Sequence, residues 1–414
     1  MIQPEAADPV PESNASPMQT EAPLYDVLVV GAGIAGLSLA AAAAREGRTV
    51  LLIAARDTHP REFRAEKFSS SEMGVLDRLG LGTGARAVAT PLHTVIEGRW
   101  GRLIKRMASQ EFAFHYPELV DAVRAALPRG VTSVTGRVAA TATGADVQML
   151  TLADGRRFAG RLLVVATGLG EGLQRELGFE RRLVSQGNTL VYGFNTAFTY
   201  ALLAGEQLIW SAEAGGDGVA YLTLFPLGTQ IRANLFTYWP RGGTAAEAFL
   251  ADPTGTMRRL MPGLARAYGT IEPVGAIQQR PIDLVEITNP VRDGVVVIGD
   301  AFCTTCPAYG TGIRKALSDV TVLASLLPAW FATPGMGAAK IGSYYKHPKK
   351  VAADQLSVGV SLRLRRMTMG RDLVSRFLSL RSTVYRRGQQ AVVDAAAKLR
   401  RAAPAASGTP AANP

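Results

Sequence analysis

The chain has 414 residues, of which 47% are hydrophobic and 19% are charged, a balance that excludes a disordered polymer and suits two interleaved lobes. The formal net charge is +11, but the basic excess lies between Lys340 and Arg401 without a pattern of stacking aromatic residues, so we expect no nucleic-acid partner. Two cysteines are too few for a disulfide framework, which indicates a reducing compartment and a cytoplasmic location.

The first predicted elements are a strand, a glycine-rich turn and a helix. Tyr25–Val30 is a short apolar run typical of a buried strand, and Ile34–Glu46 is rich in alanine with helical spacing. Thr49–Ile53 has the composition of the next strand. Ser69 and Glu72 have the spacing of a capping box, which predicts the start of another helix.

The middle of the chain is rich in predicted strands. Asp154-Gly155 predicts a hairpin turn, and Leu162–Ala166 predicts a fully buried strand. The strand-like runs within Gln207–Trp239 have a different character and predict a second sheet. Val295–Ile298 returns to the buried parallel strand type, and a helix from about Thr311 to Leu327 follows it, so the first lobe is re-entered.

The residues Gly31-Ala32-Gly33-Ile34-Ala35-Gly36 follow the first strand and open the first helix. The first glycine allows a tight turn, the second lets a pyrophosphate approach the backbone, and the third lets the helix pack closely on the strand. The helix N-terminus then faces the anion. The motif therefore predicts a dinucleotide site, although the second strand ends Ile53-Ala54-Ala55-Arg56, without the carboxylate that the fingerprint expects for the ribose.

A second motif lies much later in the chain and reads Gly299-Asp300, then Pro307, then Gly310-Thr311-Gly312-Ile313. With it the chain resembles the group A flavoprotein monooxygenases, the class that includes p-hydroxybenzoate hydroxylase. The resemblance implies that Asp300 binds the ribityl chain of FAD, that Pro307 lies beside the isoalloxazine, and that the glycine turn offers N–H groups to the flavin N1/O2 edge. A helix N-terminus stabilises negative charge on general grounds as well. The two motifs together predict FAD as the cofactor.

The resemblance also places an arginine near the FAD pyrophosphate or ribityl chain, and Arg64 or Lys67 stands at that place in this chain. Surface charges on a loop are the alternative interpretation. Two departures from the family pattern concern the electron donor: Val165-Ala166-Thr167-Gly168 replaces a segment that usually ends Ala-Asp-Gly, and His115-Tyr116 replaces an arginine. NAD(P)H and a partner reductase both stay open as the electron donor.

Cys303-Thr304-Thr305-Cys306 is a CxxC sequence close to the predicted flavin. As a redox dithiol it would make the protein a disulfide oxidoreductase. A thioredoxin-type CxxC opens a helix within its own fold, however, whereas this one lies in a flavin-domain loop, so we favour two small buried fillers. The four histidines are scattered, and we predict no metal site.

The predicted fold class is α/β, with a Rossmann-like FAD-binding domain, an interleaved β-sheet substrate domain and a helical C-terminal segment. The expected FAD-binding parts are residues 24–90, residues 91–182 with a crossover to the substrate lobe, and residues 281–340. Residues 183–280 form the expected substrate domain, and 341–401 a basic helical segment. Residues 1–23 and 402–414 are expected to be disordered tails.

The predicted function is an FAD-dependent monooxygenase that inserts one oxygen atom from O2, through a flavin C4a-peroxide, into a largely apolar, aromatic substrate. Aromatic residues in the strand-like runs suggest an apolar pocket, although aromatic residues in strands usually pack the core. They are Trp210, Tyr221, Phe225, Phe236, Tyr238 and Trp239. A side chain on another polypeptide is an alternative substrate.

Three other functions stay open: a reductase or dehydrogenase acting on a lipid-like or dithiol substrate, a halogenase, and a non-catalytic flavoprotein that acts as a binding factor. The halogenase reading is weakened because the Trp-x-Trp-x-Ile-Pro motif is absent. Oxygen-dependent product formation would separate the monooxygenase from the reductase or dehydrogenase and from the binding factor. The basic C-terminal segment alternates arginines with apolar residues, so contact with an anionic membrane surface or an acidic partner is a further hypothesis.

Overall fold

The computed structural model describes residues 23–198, 205–213 and 216–370, with a few isolated positions between 380 and 391. The first half contains β1 (Leu24–Val30), α1 (Ile34–Arg45), β2 (Val50–Ala54), β3 (Ala65–Ser69), α2 (Ser70–Arg78), α3 (Gly82–Ala87), β4 (Thr90–Arg99), β5 (Arg102–His115), α4 (Tyr116–Ala125), β6 (Val131–Thr135), β7 (Val138–Ala142), β8 (Gln148–Leu152), β9 (Arg157–Val165) and α5 (Gly172–Glu176). The second half contains β10 (Arg181–Phe198), β11 (Glu206–Trp210), β12 (Val219–Leu227), β13 (Gln230–Thr237), α6 (Thr244–Ala251), α7 (Pro253–Leu260), α8 (Pro262–Tyr268), β14 (Ile271–Ile287), β15 (Val295–Val297), α9 (Gly312–Phe331), α10 (Ala338–Tyr345) and α11 (Pro348–Met369). The two expected tails and most of the basic segment beyond Gly370 lie outside the described residues.

The first sheet has the strand order β6-β2-β1-β9-β8-β7. Its centre is parallel and buried: β1 pairs with β2 on one side and with β9 on the other, so that Val30 aligns with both Ile53 and Val165. The strand β9 pairs antiparallel with β8 in its first half and parallel with β15 in its second half. Val295 of β15 pairs with Leu163 of β9, 132 residues earlier, so the α/β fold with a re-entered first lobe is confirmed in this sheet.

The second sheet has the order β14-β10-β13-β12-β11-β4-β5-β3. Its neighbours are antiparallel except for β11 and β4, which are parallel. This sheet includes β3, β4 and β5, whose residues the sequence analysis assigned to the FAD-binding part of the chain. Their place is decided by pairing across long sequence distances; for example, a Cβ on Gly98 of β4 would lie 1.9 Å from the ring of Trp210 in β11. No local pattern in residues 65–115 carries that information.

Local signals read from the sequence agree with the structure. The capping box at the start of α2 is confirmed, because the Ser69 backbone N–H donates to Glu72 Oε2 at 2.8 Å. The turn at Asp154-Gly155 joins β8 to β9 as an antiparallel hairpin, with Gly155 at φ +87°. The helices α9 and α11 pack on each other beside the first sheet. Among the described residues, no helix is long and apolar enough to cross a membrane.

Candidate active site

A cleft of about 620 Å³ opens at the carboxyl ends of the parallel strands of the first sheet. The residues that line it include Val30 of β1, Ile53–Arg56 at the end of β2, Ala166–Gly168 after β9 and Ile298 after β15. In open α/β sheets, ligands bind outside the carboxyl ends of the strands. The volume falls in the range of cofactor and ligand sites, which makes this cleft the candidate nucleotide site.

The glycine turn between β1 and α1 forms one wall of this cleft. Gly31 has φ +113°, and a Cβ there would lie 2.3 Å from the carbonyl oxygen of Ala166. A Cβ on Gly36 would lie 1.8 Å from the carbonyl oxygen of Gly31. Both positions therefore require glycine. The turn brings the N-terminus of α1 to the cleft, where free backbone N–H groups and the helix dipole favour a pyrophosphate.

The structure brings only part of the second motif to the same cleft. Asp300, Gly312 and Ile313 line it, although they lie about 270 residues after the glycine turn. Gly299, the residue before Asp300, does not line the cleft and has a left-handed conformation with φ +65°. Among all the predicted cofactor residues, those lining the cleft are Gly31, Ala32, Gly33, Ile34, Ala35, Arg64, Asp300, Gly312 and Ile313, and those that do not line it are Gly36, Lys67, Gly299, Pro307, Gly310 and Thr311.

Arg64 and Lys67 point to different places, because Arg64 precedes β3 and Lys67 lies within it. The Arg64 Nε donates to Glu66 Oε1 at 2.6 Å, and its guanidinium lies close to Asp300. Burial opposes the charge, but Glu66, Tyr116 and Asp300 outweigh it and raise the pKa of Arg64. Lys67 instead donates to Gln207 and lies 5.3 Å from the Phe225 ring centroid, inside the second sheet. Lys67 therefore does not line the cleft, and both side chains are half-buried.

Tyr116 is a cleft residue that the sequence analysis named only as part of a departure from the family pattern. Its side chain is buried, its hydroxyl accepts a hydrogen bond from the backbone of Ile34, and the Arg64 guanidinium carbon stacks 3.9 Å from its ring centroid. Burial raises the pKa of Tyr116, so the phenol is neutral at ordinary pH. Tyr116 is the first residue of α4. Its place in the cleft could not be recognised from the sequence, because it depends on the tertiary contact between α4 and α1.

The end of the cleft beside β2, where a carboxylate was expected, is lined by guanidinium groups. Arg56, Arg124 and Arg137 line it. Arg124 Nη1 donates to the Arg56 carbonyl oxygen at 2.9 Å and also to that of Asp57. This end of the cleft is therefore rich in donors, and Glu62 is a carboxylate that also lines the cleft. Only Arg56 was named from the sequence, since Arg124 and Arg137 arrive from separate elements.

Both cysteines are buried and free of a disulfide. Burial raises the pKa of Cys303 to about 11 and also raises that of Cys306, whose Sγ is 2.9 Å from Thr189 Oγ1. A thiol that stays protonated is a poor nucleophile. These surroundings agree with the interpretation of two buried fillers, and the absence of redox activity stays a prediction.

An apolar cluster lies where β10, β12, β13 and β14 face the loop that contains Pro307. Its buried members are Ala220, Phe236, Tyr238, Leu284, Cys306 and Ala308. The Tyr221 hydroxyl donates to the Ala308 carbonyl oxygen. By contrast, the Tyr238 hydroxyl and Asn188 Oδ1 are buried without a hydrogen-bond partner among the described residues. Such groups are costly unless a partner is supplied.

Comparisons with known proteins agree with this geometry. A family model described as an FAD binding domain matches residues 24–356. The FAD-dependent monooxygenase atnJ of Arthrinium sp is 24% identical over 329 residues, covering 74% of this chain and 76% of its own length. The aurachin C monooxygenase/isomerase of Stigmatella aurantiaca is 26% identical, covering 73% of this chain and 80% of its own. The structure of p-nitrophenol 4-monooxygenase PnpA from Pseudomonas putida DLL-E4 is similar in fold, with a TM-score of 0.70, 16% identity, and coverage of 89% of this chain and 94% of that one.

The resemblance to group A flavoprotein monooxygenases is thereby confirmed, and so is FAD as the cofactor. The family match extends over well more than half of the chain and includes both glycine motifs. This chain therefore belongs to the FAD-binding-domain family of flavoproteins.

Proposed function

We propose that this FAD-dependent monooxygenase inserts one oxygen atom from O2 into a largely apolar, aromatic substrate held between the second sheet and the loop that contains Pro307. The observation that carries the substrate class is the apolar cluster of Phe236, Tyr238, Leu284 and their neighbours against Cys306 and Ala308. That cluster adjoins the residue which the family resemblance places beside the isoalloxazine. The two monooxygenase relatives support the oxygenation reaction.

The cleft fits FAD through groups that belong to this chain. The glycine turn and the N-terminus of α1 would hold the pyrophosphate, because the free backbone N–H groups and the helix dipole there favour an anion. Arg64 and Asp300 would hold the middle of the cofactor, and Gly312 with Ile313 would face the flavin edge. Bound FAD supplies the electron transfer and the reaction with O2. The chain supplies binding, orientation and the exclusion of water.

On the substrate side, the chain offers a buried apolar cluster and two buried polar atoms without a hydrogen-bond partner among the described residues. Asn188 Oδ1 is an acceptor, and the Tyr238 hydroxyl is a donor or an acceptor. Asn188 is held in place because its Nδ2 donates to Thr189 Oγ1 at 3.0 Å. A ring that carries a hydroxyl, amino or ring N–H group would satisfy both atoms without placing a charge among apolar side chains.

The electron donor stays open between NAD(P)H and a partner reductase. Thr167 and Gly168 line the cleft where relatives of this type carry a carboxylate. A cytoplasmic location is also proposed, because two free buried thiols suit a reducing compartment. Contact of the basic C-terminal segment with a membrane surface or an acidic partner stays a hypothesis, since most of that segment beyond Gly370 lies outside the described residues.

The test is isotopic. The protein loaded with FAD is reduced without air by dithionite, mixed with 18O2, and incubated with a panel of hydroxylated, aminated and N-heterocyclic aromatic compounds. We expect a product that carries one 18O atom and fails to form under nitrogen. Oxidation of a compound under nitrogen with an artificial electron acceptor would instead establish a dehydrogenase. Bound FAD with no product from any donor or substrate would favour the binding-factor hypothesis.

A further inference from the structure

A closed ring of four alternating charges lies behind the flavin-side motif, and it is built by two helices that are distant in sequence. Lys315 and Asp319 come from α9, and Lys350 and Asp354 come from α11. Lys315 Nζ is 3.2 Å from Asp319 Oδ2, Lys350 Nζ is 3.2 Å from Asp319 Oδ1 and 2.7 Å from Asp354 Oδ2, and Lys315 Nζ is 3.4 Å from Asp354 Oδ1. Each cation thus touches both carboxylates.

Three members of the ring are almost completely withdrawn from water, and the side chain of the fourth, Asp354, is 19% exposed. Lys350 and Asp319 are 0% exposed, and Lys315 is 2% exposed. Isolated charges in such surroundings are strongly disfavoured, whereas a neutral and fully paired set is tolerated. Although burial opposes its charge, Asp319 and Asp354 raise the pKa of Lys315. Lys350 also lies 3.9 Å from the centroid of the Phe302 ring, three residues after the motif begins.

The ring holds the backbone of Gly299, the residue that precedes Asp300. The backbone N–H of Gly299 donates to Asp319 Oδ2 at 2.8 Å, and Lys315 Nζ donates to the Gly299 carbonyl oxygen at 3.2 Å. Both polar backbone groups of Gly299 are therefore held by members of the ring. Gly299 has φ +65°, and a Cβ there would be 3.3 Å from the Cβ of Ala35 in α1. The next residue, Asp300, lines the cleft.

The helix α11 makes a second connection to the same site. Ser357 Oγ is 3.0 Å from Thr311 Oγ1, at the glycine turn that precedes α9. Two independent contacts from one helix thus reach both halves of the flavin-side motif. Surface salt bridges would not serve this purpose, because solvent screens them and their side chains are mobile.

We propose that the charge ring is a positioning device for the flavin: it makes α11 a working part of the cofactor site by holding Gly299 so that Asp300 is presented to the cleft. Lys315, Asp319, Lys350 and Asp354 are positioning residues, not catalytic ones. This inference rests on the proposed placement of FAD against Asp300. It does not depend on oxygen insertion, so a failure to oxygenate any substrate would leave it standing.

The test removes the α11 half of the ring without leaving an unpaired buried charge. The variant is Lys350→Met/Asp354→Asn, and the matched control is Arg363→Ala, which removes a cation from an exposed position of the same helix. FAD affinity is measured by flavin fluorescence quenching, and the visible circular dichroism of bound FAD reports the surroundings of the isoalloxazine. We expect the double variant to bind FAD at least fivefold more weakly with an altered dichroism spectrum, and the control to match the wild type.

An affinity change below fivefold, or a weaker affinity with an unchanged spectrum, would overturn the proposal, because helix packing alone alters the melting temperature and not the surroundings of bound flavin. If the double variant fails to fold, Asp354→Asn alone is measured by the same two criteria, since its side chain is the most exposed of the four, at 19%. The Lys315→Met/Asp319→Leu variant removes both direct side-chain contacts to Gly299 and leaves Lys350 paired with Asp354, so it should show the larger effect on both readouts.

Discussion

The guanidinium carbon of Arg64 lies 3.9 Å from the centroid of the Tyr116 ring, and both side chains line the FAD cleft. The Tyr116 backbone N–H also donates to the Arg64 carbonyl oxygen at 3.0 Å. The contact joins the segment before β3 to the first turn of α4, and the Tyr116 hydroxyl continues it to Ile34 at the start of α1. Arg64 is therefore held over the glycine turn by a stacked and hydrogen-bonded partner.

We expect Arg64→Ala to weaken FAD binding by about ten- to a hundredfold, because a charge-assisted hydrogen bond contributes roughly 1.5–3 kcal/mol. Arg64→Lys should recover only part of that affinity, since an ammonium group lacks the planar fork that stacks on Tyr116. Fluorescence titration of the apoprotein with FAD measures both. The control is Arg61→Ala, an exposed arginine three residues earlier that does not line the cleft. Equal affinities for the Arg61 and Arg64 variants would contradict the placement.

Gly36→Ala should abolish the tight packing of α1 on the glycine turn. The new Cβ would lie 1.8 Å from the Gly31 carbonyl oxygen, so backbone must move and the pyrophosphate site moves with it. We expect FAD affinity to fall by tenfold or more, together with a lower melting temperature. Gly172→Ala is the matched change, because nothing lies within 4 Å of its Cβ. A Gly36 variant that binds FAD like the Gly172 variant would refute this reading of the turn.

The Cys303 thiol should make the protein less stable at alkaline pH. Its pKa is about 11 because of burial, against an ordinary value of 9.0, so the native state keeps a proton that the unfolded state releases. The stabilisation is present below pH 9 and is lost as the pH rises from 9 to 11, by roughly 2–3 kcal/mol for two pKa units. The free energies of unfolding of wild type and Cys303→Ala are measured in denaturant at pH 8 and at pH 10.5. The difference in free energy between the two proteins should narrow or reverse at the higher pH. Parallel pH profiles would show that Cys303 does not titrate in this way.

Tyr238→Phe separates a substrate contact from a structural hydroxyl. Since that hydroxyl is buried without a hydrogen-bond partner in the described part of the chain, its removal should leave the free energy of unfolding unchanged or raise it by about 1 kcal/mol. FAD affinity should not change, whereas KM for a hydroxylated or aminated aromatic substrate should rise by about tenfold, with a smaller change in kcat. Tyr221→Phe is the contrasting variant, because it removes a hydrogen bond to Ala308 and should lower stability. A destabilised Tyr238→Phe with an unchanged KM would assign that hydroxyl a purely structural role.

The sequence predicted most successfully where the physical constraint is local. The glycine turn, the capping box at Ser69 and the hairpin at Gly155 each depend on steric or hydrogen-bonding rules that act within a few residues, and all three are present. The second motif was recognised by resemblance to a family. The inference that the two motifs bind the same cofactor followed from their order along the chain.

The tertiary structure alone decided which residues meet. Arg64 and Lys67 are three residues apart and equivalent in the sequence, but the pairing of β3 with β5 sends Lys67 into the second sheet while Arg64 stays at the cleft. Tyr116, Arg124 and Arg137 reach the cleft from elements whose own patterns carry no sign of it. The charge ring needs α9 and α11 to pack, because a lysine and an aspartate four residues apart on one helix are ordinarily a solvated surface pair. Local steric rules act between residues close in sequence, so the sequence reveals them directly. Contacts such as those of Tyr116 and of the charge ring depend on strand register and helix packing across long stretches of chain.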